Sequence, residues 1–208
     1  MGGGEFSDMP FLSESADRAT REIMLVAAEW ERSFGGQLAG VGLQGASVGG
    51  ATLNLTLASL TQISRCVSAV EVFTFDRVME CIDSRVLHVA NPILDSLYKD
   101  KKKSIDGSWD SIRKAAVNWL EIDFLKIGVY QKIEGYVEVR NATLHAAGKI
   151  TRRQRGNLAA VIKKMNLVGV KVFGDRLAVK DGCVRECAIC CRDFVRELDR
   201  LLKSEFVF

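Results

Sequence analysis

A mostly α-helical bundle with a small β-hairpin near the C-terminus is the fold this sequence predicts, and three observations carry it. Apolar residues recur at helical spacing over most of the chain. Only two of the 208 residues are proline. The one switch to alternating polarity is confined to residues 168–179. A chain of this length buries roughly 70% of its unfolded surface, enough for a single core without disulfides or metals. Residues 7–208 therefore read as one domain with its core over about 51–202, and the leading MGGGEF, residues 1–6, reads as an expression scar.

The first helix is expected to be capped by Ser15, to present Ala19, Ile23, Val26, Trp30 and Phe34 on one face, and to stop at Gly35-Gly36. EIMLVAAEW within it is too short and too closely flanked by charge for a signal peptide. The uncharged stretch from Ser33 to Ser64 carries seven glycines besides Gln37, Gln44 and Asn54, so it reads as a loop to about Gly50 leading into a buried helix, not as a membrane span. That helix, from about Ala51 to Cys81, is apolar on several sides through Leu53, Leu57, Leu60, Val67, Val70, Phe73 and Val78, as suits the centre of a bundle.

Asn91-Pro92 starts a short helix to about Lys99, and KDKKKSIDGS reads as an exposed, charged turn. Ser108 caps WDSIRKAAVNWL, and a longer helix follows from about Phe124 to Ala147, ended by Gly148. Beyond a basic loop, Leu158–Leu167 reads as a helix. Val168, Val170 and Val172 then alternate against Leu177 and Val179 around a Gly174-Asp175 turn. The last helix spans about Val184 to Lys203. In it Cys183, Cys187, Cys190, Phe194, Leu198 and Leu201 form a buried stripe, so CVRECAICC reads as packed, reduced thiols and not as a zinc site, which places the protein in the cytoplasm.

The helix over 124–147 carries the chemistry. At 100° per residue Glu134, Glu138, Asn141 and His145 fall within about 60° of one another, a polar stripe. Arg140 falls among Ile133, Tyr136, Val137, Leu144 and Ala147, where an unpaired guanidinium is expensive to bury. A carboxylate, a partner chain, a phosphate or a bend near Asn141 has to satisfy it. The other histidine, His88, has no such company and reads as structural or surface.

YVEVRNATLHAAGKIT resembles the signature of HEPN domains, R-x4 to x6-H with Asn directly after the Arg, and the surrounding pattern is similar to the RiboL-PSP-like HEPN proteins of prokaryotic toxin and defence systems. The resemblance spans about Ala51 to Leu202 and is specific over 136–149. It implies a HEPN-like helical bundle that dimerises through the motif helices and acts as a metal-independent endoribonuclease, leaving 2',3'-cyclic phosphate ends and needing no cofactor. His145 would be the acid or base, Arg140 the phosphate and transition-state stabiliser, and Asn141 a group orienting the cleft. Glu138 or Glu71 would position Arg140. Ala147 stands where a branch regulated by nucleotide addition has a Tyr two residues after the His, which argues against that regulation.

Charge points the same way. From Val139 to Gly174 there is no acidic residue, and eight basic ones give +8 against +3 for the whole chain, leaving the remainder at −5. Such asymmetry attracts anions. Lys149, Arg152, Arg153 and Arg155, in KITRRQR beside the motif, are the expected RNA-binding residues. The expectation is a homodimeric toxin or antiphage-defence effector acting on RNA, with an antitoxin or a regulatory NTPase or nucleotidyltransferase as a further partner and no membrane. The rivals are a non-catalytic HEPN-like dimerisation or RNA-binding module and a purely structural interaction domain.

Overall fold

The computed structural model describes residues 11–38, 51–88, 92–105, 108–180 and 182–204. In chain order these form α1 (Glu14–Leu38), α2 (Ala51–His88), α3 (Pro92–Ile105), α4 (Trp109–Leu120), a 3-10 turn (Phe124–Lys126), α5 (Tyr130–Ala146), α6 (Arg152–Arg155), α7 (Leu158–Leu167), β1 (Val170–Phe173), β2 (Arg176–Val179) and α8 (Cys183–Ser204). The fold is mostly α with one antiparallel hairpin, as the periodicity predicts. In the hairpin Val170 opposes Val179 and Val172 opposes Leu177 across the Gly174-Asp175 turn.

α2 is the central element, packed against α1, α8, α5 and α4. Its Leu60, Val67, Val70, Phe73 and Val78 are buried as expected, whereas Leu57 is exposed. α8 buries Cys183, Cys187, Cys190, Phe194 and Leu198, with Leu201 partly buried. All six cysteines are free and buried. Trp109, Phe124, Tyr130 and Phe194 join α4, α5 and α8 through ring contacts at 5.8–6.4 Å. No described helix is long and apolar enough to cross a membrane.

Several expected boundaries move. Ser13, not Ser15, caps α1: its hydroxyl accepts from the Ala16 N–H at 3.3 Å and its carbonyl from the Asp17 N–H at 2.9 Å. α1 also continues through Gly35-Gly36, because glycine weakens a helix by about 1 kcal/mol per residue without forbidding it. α2 runs past Cys81 because Ile82 and Val86 prolong its buried stripe. The lysine-rich segment is not a turn as far as Ile105. Lysine is a good helix former, Tyr98 and Ile105 are buried, and Lys102 bonds both oxygens of Asp83 at 2.9 Å. The motif helix starts at Tyr130 and not at Phe124, since the Asp123 carboxylate accepts from the Leu125 N–H at 3.0 Å and sets a 3-10 turn first. The expected glycine-rich connection beyond residue 38 and the Asn91 cap lie outside the described residues.

One buried charge anchors α8. Asp199 is 1% exposed, accepts hydrogen bonds from the Ser13 N–H at 2.9 Å and from the Ser13 hydroxyl, and pairs with Lys203 at 3.1 Å and Arg77 at 3.5 Å. Burial alone would raise its pKa, but the donors from Ser13 and Lys203 outweigh it and hold the carboxyl below its ordinary value.

Candidate active-site groove

The four-residue polar stripe of α5 opens into one groove. Glu134, Glu138, Asn141 and His145 all line it, as do Arg140 of the same helix and Glu71 of α2, around a volume of ≈ 730 Å³. The far side is built from the start of α4, from α6 and from α7, and Trp109 and Tyr130 give it an aromatic wall. Burial, followed by the charge of Glu134, pushes the Tyr130 phenol up to about 12, so it stays protonated at neutral pH.

Glycine at 135 sets how closely α7 approaches. A β-carbon there would stand 2.5 Å from the Lys164 carbonyl oxygen and 2.9 Å from Val168 Cγ1, so only glycine admits this helix contact. The approach brings the Lys164 ammonium within 3.1 Å of the Glu134 carboxylate.

Arg140 is satisfied within the chain. Its Nη2 donates to the Glu71 carboxylate, its Nη1 to Asn141 Oδ1 at 3.3 Å, and its Nε is buried with no partner among the described residues. Glu71 is thus the carboxylate that meets Arg140, and Glu138 is not. The Glu138 carboxylate accepts instead from the Gln154 side-chain amide at 2.8 Å. The same amide donates to the Glu138 carbonyl at 2.9 Å, while Gln154 Oε1 accepts from the Thr151 N–H at 3.0 Å. Gln154 is 5% exposed and docks the basic turn onto α5.

That turn is α6, opened by a Thr151–Gln154 capping box, and it replaces part of the expected loop. Arg152, Arg153 and Arg155 are exposed and have no ion pair among the described residues, and only Arg153 lines the groove. Lys149 points to the hairpin, 3.7 Å from Asp175. α5 itself ends in two left-handed residues, Ala147 (φ 48°) and Gly148 (φ 79°), with the Gly148 N–H closing onto the Ala142 carbonyl at 3.1 Å. The chain is then held to the hairpin by Ile150 N–H to Asp175 O at 2.7 Å and Leu177 N–H to Gly148 O at 2.9 Å. His145 is exposed in the last turn of α5, just ahead of that exit. His88 closes α2, and its side chain lies outside the described residues.

Reading the sequence alone missed Gln154, Lys164, Tyr130 and the Asp110–Arg113 pair (3.2 Å) at the start of α4. Thr151-x-x-Gln154 is a capping-box pattern and could have revealed the first, and Asp110 and Arg113 stand at i, i+3 on one helix, whereas the places of Lys164 and Tyr130 depend on how helices cross. No family model, curated protein or solved structure matches this chain.

Proposed function

We propose that the chain is a HEPN-type, metal-independent endoribonuclease, a toxin or antiphage-defence effector of the cytoplasm, with Arg140, Asn141 and His145 at its centre. The observation that carries the reading is the convergence of these three residues with Arg153 in one groove, beside the exposed cations Arg152 and Arg155. Histidine is the side chain best suited to proton transfer near neutral pH, and a guanidinium matches the charge and shape of a phosphorane-like transition state. Arg140 has five N–H donors, and its contacts with Glu71 and Asn141 leave others on Nη1 and Nη2 for phosphate oxygens while fixing the plane of the fork. Arg152, Arg153 and Arg155 hold the neighbouring backbone of the RNA.

A homodimer built on α5 belongs to this reading through the HEPN resemblance, and the exposed Leu144 beside His145 is compatible with it. The pairing of Arg140 with Glu71 removes one motive for a second copy, since the guanidinium already has its carboxylate. The second reading is a binding module that holds RNA without cutting it, favoured by Arg152 and Arg155 lying outside the groove.

The test incubates wild type and His145→Ala with total RNA in EDTA. Cleavage by the wild type alone, giving 2',3'-cyclic phosphate ends, is the expected result. Binding without cleavage by both proteins favours the module, and cleavage by both removes His145 from the chemistry.

A further inference from the structure

In-line cleavage of RNA needs two proton-transfer groups, and the groove offers a second one in the same chain. Four carboxylates line it. Glu71 is engaged by Arg140, Glu134 by Lys164 at 3.1 Å, and Asp110 by Arg113 at 3.2 Å and Lys114 at 2.6 Å. Glu138 alone has no cationic partner among the described residues, and a neutral amide, Gln154, holds it in place. A carboxylate paired with a guanidinium or ammonium is already committed to a cation, whereas Glu138 accepts only from a neutral amide and stays open to a substrate proton.

Geometry favours the same residue. Glu138 and His145 are seven residues apart, about 10.5 Å along the helix axis and on one face, with Asn141 between them. Two hydrogen bonds of about 2.8 Å at either end of an in-line O–P–O arrangement span a similar distance. The 2'-hydroxyl and the 5'-oxygen can therefore be reached at once from one helix, with the phosphate over Arg140.

Resting on the endoribonuclease reading, we propose that Glu138 is the general base of the reaction and His145 the general acid, both from one protomer, with Gln154 positioning Glu138. The 2'-oxygen forms its bond to phosphorus while the bond from phosphorus to the 5'-oxygen breaks. The 2'-hydroxyl proton passes to the Glu138 carboxylate, and the His145 imidazolium gives its proton to the departing 5'-oxygen. The products are a 2',3'-cyclic phosphate and a 5'-hydroxyl. No water is consumed, and both groups reset by proton exchange with solvent.

Glu138→Gln tests the base without disturbing the site, because glutamine at 138 still accepts from Gln154 yet has no basicity. Cleavage of a single-stranded RNA is measured from acid to alkaline pH, and RNA affinity alongside. The expected result is a loss of about 100-fold or more in kcat, a lost fall in rate toward low pH and an unchanged affinity. A rate within a few-fold of wild type and an unaltered pH profile overturn the assignment of Glu138 while leaving the ribonuclease reading intact. A wild type that cleaves no RNA overturns both. Mixing Glu138→Gln with His145→Ala protein decides the one-protomer arrangement. No recovery of activity is expected, and recovery would show that base and acid come from different chains.

Discussion

α8 and the groove face of α5 both run through the middle of the molecule, and they treat polar groups in opposite ways. α8 buries thiols and the ring of Phe194, and its one buried charge, Asp199, is met by Ser13, Lys203 and Arg77. α5 turns five charged or titratable side chains and an asparagine toward a groove, and among the described residues one guanidinium N–H of Arg140 is unmatched and Glu138 has no counter-ion. The first arrangement yields stability, since the buried Asp199 carboxylate accepts from Ser13 and is paired with two cations. The second keeps donors and acceptors uncommitted, which is what binding and proton transfer require.

The contrast is broken most readily at Asp199. Asp199→Ala leaves Arg77 and Lys203 without their buried partner and should cost about 3 kcal/mol in denaturant unfolding, with cleavage per folded molecule unchanged. Because the carboxyl is held below its ordinary value, its contribution is present above the unfolded carboxylate pKa of about 4 and is lost as pH falls through the folded one. The stability gap between wild type and variant should therefore close in acid. A gap that widens there would reverse the assignment.

Gly135→Ala should come second, at about 2 kcal/mol, because the added methyl meets the backbone of α7. Here stability and RNA cleavage should fall together, since α7 carries Lys164 and borders the groove. Smallest is His145→Ala, an exposed side chain whose loss should shift unfolding by less than about 0.5 kcal/mol while removing cleavage. If His145→Ala destabilised the protein as much as Asp199→Ala, the distinction between the two helices would collapse.

The helices were legible because their signals are local. The Ser108 cap, the α8 stripe, the Leu158–Leu167 helix and the hairpin alternation each sit within a few residues. The misplaced start of α1 comes from a contact between distant segments, Ser13 capping it while Asp199, 186 residues away, accepts from it. The shifted ends of α2 and α5 rest instead on local signals, Ile82 and Val86 in one and the Asp123 cap in the other. The groove divides in the same way. Asn141 and His145 could be grouped by angle on one helix face and Arg140 joins them through its spacing in the motif, but the choice of Glu71 over Glu138 as partner of Arg140 depends on where α2 crosses α5. Lys149 joined the RNA-binding group by its charge, yet Asp175 draws it toward the hairpin. Basic composition counts cations without showing which are already paired.

The backbone bonds from Gly148 and Ile150 to the hairpin carry a consequence for what the chain tolerates. Helix ends fray, and His145 stands in the last turn of one. A surface β-turn is ordinarily a safe place to lengthen a loop or graft a tag. Here Gly174-Asp175 is bonded through Asp175 to the segment that leaves α5, so an insertion at this turn would loosen the exit of the motif helix. A two-residue turn far from the groove in sequence is thereby closed to the variation that surface loops usually accept.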